Sequence, residues 1–87
     1  MTLPSTRQLE AFLHVARLGS FRRAAEVLHM SQPALSQSVV QLEQQLGTAL
    51  LSRSTRAVRP TPAGQILLQR LDRIMPDLHE GVAVGAA

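Results

Sequence analysis

Residues 20–42, SFRRAAEVLHMSQPALSQSVVQL, read as two short helices joined by a tight connection. Ser20 has the chemistry of an N-cap, with Phe21, Ala24, Ala25 and Leu28 on the inward side of the helix it opens. His29 and Met30 form the connection. Ser31 caps the next helix, and Pro33 falls in its first turn, where the missing N–H costs little. Leu35, Val39, Leu42 and Leu46 then step by four, three and four, one apolar stripe that Gly47 ends. The rest of this helix offers small polar side chains instead of a run of charge. A helix that is to meet base edges in a nucleic-acid groove needs a face of that kind.

On the N-terminal side, Ser5 and Gln8 have the spacing of a capping box. Leu9, Phe12, Leu13 and Ala16 recur at helical spacing, so a first helix runs to about Arg17 or Leu18 and stops at Gly19. On the C-terminal side the character changes over residues 48–60. Two short extended stretches flanking Ser54-Thr55 predict a small hairpin at about 50–60. Thr61-Pro62 reads as an N-cap followed by proline at the first helical position. A fourth helix follows, with Leu67, Leu71, Ile74 and Leu78 again stepping four, three, four, and Leu68 and Met75 widening the stripe. Pro76 kinks or ends it, and residues 81–87 read as a frayed tail.

Composition narrows the class. Eighty-seven residues make one domain with an appended element. Only 2% of them are aromatic, so the core is built from Leu, Val, Ile and Ala, which suits packed helices. The absence of cysteine removes disulfides, thiolate zinc sites and cysteine nucleophiles and fits a reducing, cytoplasmic setting. Arg7 and Glu10 interrupt the first apolar stretch, which argues against a signal peptide, and no apolar run approaches the ~20 residues of a membrane span. The net charge is +3, and all nine basic residues are arginine. Residues 1–64 hold seven Arg against three Glu, whereas residues 65–87 hold two Arg against three acids. The positive field therefore belongs to the first part.

The order Ser20-Phe21-x-x-Ala24-Ala25-x-x-Leu28, Ser31-Gln32-Pro33-Ala34-Leu35-Ser36, Leu42-Glu43-x-x-Leu46-Gly47, Leu50-Leu51-x-Arg53-x-x-Arg56-x-Val58 and Thr61-x-Ala63-Gly64 resembles the N-terminal domain of LysR-type transcriptional regulators. The resemblance covers roughly residues 5–80. It implies a mainly α winged helix-turn-helix, a three-helix core with a two-stranded wing, over residues 1–61, with the helix-turn-helix at about 20–42. It implies a linker helix over 62–80 that pairs two subunits, and a C-terminal effector-binding domain for which 87 residues leave no room. The sequence thus reads as a fragment of a larger regulator. Leu51 stands where the family usually has Phe, Gln37 where many members have Arg or Lys, and Pro76 interrupts a helix that is usually longer.

Within that frame each residue type has a physical part. A recognition helix leads with its N-terminal end, so Gln32, Pro33, Ala34, Ser36, Gln37 and Gln41 are the expected base contacts. Gln bonds adenine N6 and N7 together, Ser donates or accepts, and Pro33 or Ala34 can touch a thymine methyl. Ser20, Arg22, Arg23, Ser31, Arg53, Arg56, Arg59 and Thr61 are the expected backbone or minor-groove contacts. Arg56 is the expected minor-groove insertion, since a narrow A·T stretch deepens the negative potential there. Arg53 belongs either on phosphate or in an internal ion pair. Arg22 and Arg23 oppose the helix dipole in a first turn, which a phosphate explains better than propensity. Ser20 and Thr61 either cap helices or join that phosphate site. Glu43 either pairs with an arginine such as Arg53 or repels DNA.

The helix 4 stripe (Leu67, Leu68, Leu71, Ile74, Met75 and Leu78) either closes this domain's own core or pairs with a second copy. A helix over 62–80 spans roughly 28 Å at about 1.5 Å per residue, longer than a three-helix core needs. A homodimer and an inverted-repeat site are therefore expected, with a tetramer in a full-length protein. The partner is double-stranded DNA, not a membrane, and a small-molecule effector enters only with the absent C-terminal domain. His14, His29 and His79 lack ligand spacing, so neither metal nor cofactor is expected. Without a nucleophile–base pair or a glycine-rich phosphate loop, an enzyme is the least favoured class. The rivals are a protein-interaction module and an RNA-binding domain, the latter weakened by the scarcity of aromatic residues for stacking.

Overall fold

The computed structural model describes residues 3–54 and 57–74. Four helices and one hairpin follow in the order α1 (Thr6–Leu18), α2 (Phe21–Leu28), α3 (Gln32–Leu46), β1 (Leu51–Arg53), β2 (Val58–Pro60) and α4 (Pro62–Ile74). This is a winged helix: three packed helices, a two-stranded antiparallel sheet and a further helix.

Each helix starts where its cap predicts. The Gln8 N–H donates to Ser5 Oγ at 3.1 Å and the Ser5 N–H donates to Gln8 Oε1 at 2.9 Å, so both halves of the capping box form. Ser20 Oγ accepts from the Arg23 N–H and Ser31 Oγ from the Ala34 N–H. Gly19 and Gly47 end α1 and α3 in the left-handed region, at φ 65° and 71°. Between α2 and α3 that conformation falls on a residue with a side chain, His29, at φ 55°. The Met30 N–H donates to the Ala25 carbonyl at 2.9 Å and the His29 N–H to Glu26 at 3.3 Å, the paired bonds of a Schellman closure. The connection of the helix-turn-helix is therefore a defined turn held by two backbone bonds.

The core lies where α1 crosses α2 and α3. Phe12, Leu13, Val15, Leu35, Val39, Leu42 and Leu50 are fully buried, joined by Ala11, Ala24, Ala25, Leu51 and Leu71. Each large side chain buried here contributes about 1.5–3 kcal/mol. The small residues Ala24 and Ala25 let α2 approach closely. The stripe of α3 follows the core through Leu42, but Leu46 is 43% exposed beyond its edge.

The hairpin pairs Leu51 with Pro60, Ser52 with Arg59 and Arg53 with Val58. Its tip is closed by Ser54 and Ala57, whose N–H groups donate to the Ala57 carbonyl and to Ser54 Oγ respectively. Thr61 ties the hairpin to α4. Its hydroxyl donates to the Ala49 carbonyl at 2.6 Å and accepts from the Gly64 N–H at 3.1 Å, while its own N–H donates to Leu50. Gly64 sits against that strand end so closely that a Cβ there would lie 2.1 Å from the Leu50 carbonyl oxygen. The Thr61-x-Ala63-Gly64 pattern is thus a joint: a cap that reaches across and a helix with no side chain at the contact.

For α4 the structure chooses between the two readings residue by residue. Leu71 is 3% exposed and closes this domain's own core, which corrects its assignment to a subunit interface. Ala63, Leu67 and Leu68 pack half-buried against the same core. Ile66 and Ile74 are exposed, at 54% and 74%. The Arg17–Asp72 ion pair fastens the end of α1 to α4. Met75, Pro76, Leu78 and the tail predicted from Gly81 lie outside the described residues.

Candidate nucleic-acid interface

α3 turns Leu35, Val39 and Leu42 inward, and that choice fixes what it turns outward. Pro33, Gln37 and Gln44 lie along the opposite line, spaced four and seven residues apart, and all three are exposed. Gln32, Ala34 and Gln41 are exposed, and Ser36 and Val40 are half-buried. Of the predicted readers, Pro33, Ala34, Gln37 and Gln41 therefore share one face, while Gln32 and Ser36 lie toward its edge. Gln44 continues the same line and was not anticipated. Its place follows from spacing alone, seven residues beyond Gln37, once the inward face is known.

Glu43 is the only charged residue of α3, and the structure resolves its role. Its carboxylate turns away from the exposed face, with the side chain 17% exposed. Oε2 accepts from the Leu50 N–H at 2.7 Å and the Leu51 N–H at 3.2 Å, and Oε1 lies 3.7 Å from Arg53 Nη2. The carboxylate is thus an internal anchor for the start of β1, and the exposed face of α3 carries no charge. Of the two readings of Arg53, the structure shows the internal pair. Its guanidinium also lies over the Phe21 ring, 4.8 Å from the centroid. The side chain remains 39% exposed at the root of the hairpin.

Three further arginines are exposed on neighbouring elements. Arg22 and Arg23 are exposed in the first turn of α2, and Arg59 is exposed on β2. Arg56 lies outside the described residues. Ser20, Ser31 and Thr61 all use their hydroxyls as helix caps, and Thr61 has a second bond across to Ala49. A shallow depression of about 260 Å³ borders the other flank of α3, lined by Arg7, Met30, Ala34, Gln37, Ser38 and Gln41. Gln8 Nε2 approaches Gln41 Oε1 at 3.5 Å on the same side, bringing the start of α1 against α3. Among the described residues no helix is long and apolar enough to cross a membrane.

A solvent-facing helix of glutamines, preceded across a tight turn by a short helix and followed by a hairpin, defines a helix-turn-helix with a wing. Residues 6–65 match the family described as "Bacterial regulatory helix-turn-helix protein, lysR family". The chain belongs to that family and carries its winged helix DNA-binding domain, the domain of a transcription regulator. It is 52% identical over 61 residues to the nitrogen assimilation regulatory protein nac of Escherichia coli (strain K12), covering 70% of this chain and 20% of that protein. It is 41% identical over 76 residues to the HTH-type transcriptional regulator PcaQ of Agrobacterium fabrum, covering 87% of this chain and 24% of that protein. The chain thus spans a fifth to a quarter of these curated relatives.

Among solved structures, it superposes on the oxidized form of Corynebacterium glutamicum OxyR with a TM-score of 0.81 and 41% identity, covering 99% of this chain and 28% of that one. It superposes on the BenM DNA-binding domain, in its complex with catB site 1 DNA, with a TM-score of 0.80 and 33% identity, covering 94% of this chain and 92% of that one.

Proposed function

We propose that this domain reads duplex DNA by laying α3 in the major groove, with the hairpin against the adjacent minor groove. The observation that carries the reading is the exposed line Pro33, Gln37 and Gln44 on a helix whose single carboxylate is turned inward. Glutamine pairs with adenine edges without adding charge, so this face supplies sequence preference. Affinity then comes from Arg22, Arg23, Arg56 and Arg59, acting on phosphates and the minor groove. The BenM domain of matching fold is bound to DNA in its own structure, which supports the same use here. The domain acts as a binding module, not an enzyme, in the cytoplasm.

α4 pairs two copies, so the site is an inverted repeat with one half-site per subunit. In the longer regulator a C-terminal domain takes a small-molecule effector, and dimers assemble into tetramers. Selection of bound sequences from random duplex DNA tests this reading. An inverted repeat with adenine-rich positions is expected. Recovery of unrelated sequences, or stronger retention of RNA than of duplex DNA, overturns it.

A further inference from the structure

The surroundings of α3 are asymmetric in a way that singles out Arg7. Arg22 and Arg23 begin the helix that packs beside the Ser36, Val40 and Glu43 flank, through the Phe21–Arg53–Glu43 contacts. Arg53, at the root of the hairpin, belongs to that side as well. The opposite flank, formed by Ala34, Ser38 and Gln41, faces the start of α1. Arg7 is the cation lining the depression on that side, and it is exposed. It occupies the second position of α1, where a positive charge opposes the helix dipole, so helix stability does not account for it. Among the described residues no carboxylate lies within 4.0 Å of its guanidinium. Glu10, one turn on, lines a separate depression with Arg7, Leu28 and Met30.

A major groove has two walls. It is about 12 Å wide and bounded by a sugar-phosphate strand on each side, so a helix lying in it has phosphates along both flanks. The arginines at α2 and the hairpin supply cations for one strand. We infer that Arg7 holds a phosphate of the other strand, across α3 from Arg22 and Arg23, and so centres the reading helix between the two backbones. The inference rests on the DNA-reading function proposed above. An arginine there makes a charge-assisted contact that carries no sequence information but sets how deeply and at what tilt the glutamines enter.

The test compares the wild-type domain with Arg7→Gln and Arg7→Lys on one selected duplex, across a salt titration. Arg7→Gln removes one phosphate contact. Its salt slope is expected to fall by about 0.9, so the ratio of wild-type to variant affinity narrows about threefold between about 50 and about 200 mM salt. Arg7→Lys keeps the wild-type slope. The unfolding midpoint of Arg7→Gln stays at or above wild type, because the change relieves the dipole conflict. Replacing single phosphates by uncharged methylphosphonates locates the contact. One position, on the strand opposite that held by α2 and the hairpin, should weaken wild type and leave Arg7→Gln unaffected. An Arg7→Gln slope equal to wild type overturns the inference while leaving the DNA-reading function standing. A wild-type domain with no salt-dependent affinity for duplex DNA overturns both.

Discussion

α3 and α4 carry the same apolar signature and meet different ends. In each, four residues step by four, three and four: Leu35, Val39, Leu42 and Leu46 in one, Leu67, Leu71, Ile74 and Leu78 in the other. In α3 three of the four are completely buried in this domain and the outward face is uncharged. In α4 the stripe divides. Leu71 closes the core, Leu67 packs against it half-buried, and Ile74 is left 74% exposed. Periodicity reports which way a helix turns its apolar side. It does not report whether the surface waiting there belongs to the same chain.

Truncating the buried members is the severest way to break this comparison. Leu42→Ala and Leu71→Ala should each cost about 2–5 kcal/mol, because both leave a cavity in one core. Denaturant unfolding checks this. If Leu71→Ala were as mild as a surface change, the helix would not belong to the domain's core.

Next comes the joint. Gly64→Ala puts a methyl group against the Leu50 carbonyl oxygen, and overpacking of this kind costs about 1–3 kcal/mol. The same unfolding experiment measures it. Equality with wild type would mean that α4 shifts freely on the hairpin.

The outward face of α3 is tested by binding instead of stability. Gln37→Ala should lose about 1–3 kcal/mol on the preferred duplex and relax the preference at one base position. Equal weakening on every sequence would remove Gln37 from the base readers.

The smallest effect sharpens the comparison most. Ile74→Ala should change the monomer's stability by less than about 0.5 kcal/mol, since the side chain is mostly exposed. It should nevertheless raise the dimer dissociation constant several-fold in sedimentation equilibrium. Unchanged self-association would count against α4 as the pairing surface.

The parts legible beforehand were those governed by neighbours in sequence. The Ser5–Gln8 box, the Ser20 and Ser31 caps and the glycine stops at Gly19 and Gly47 are interactions over three or four residues, and each formed where its pattern stands. The hairpin was legible from two short stretches and the polar pair between them. Glu43 was not decidable, because its partners are the Leu50 and Leu51 amides and Arg53, which no helical spacing brings near it. The second bond of Thr61, to Ala49 twelve residues away, and the contact of Gly64 with Leu50 are hidden for the same reason. On the exposed face of α3, Gln44 lies seven residues beyond Gln37, a spacing already present in the sequence. Arg7 carried the same first-turn anomaly as Arg22 and Arg23, but its position beside Gln41 depends on how α1 crosses α3.

The internal carboxylate of Glu43 has a consequence for the DNA as well as for the protein. It bolts the root of the hairpin to α3, so the two arms behave as a caliper with a set opening. In the proposed complex the duplex is the compliant member. It must bring its major groove and the neighbouring minor groove to the separation those arms demand. Base pairs that touch no side chain then contribute through how cheaply they twist, and flexible steps between the two contact zones are favoured over stiff ones.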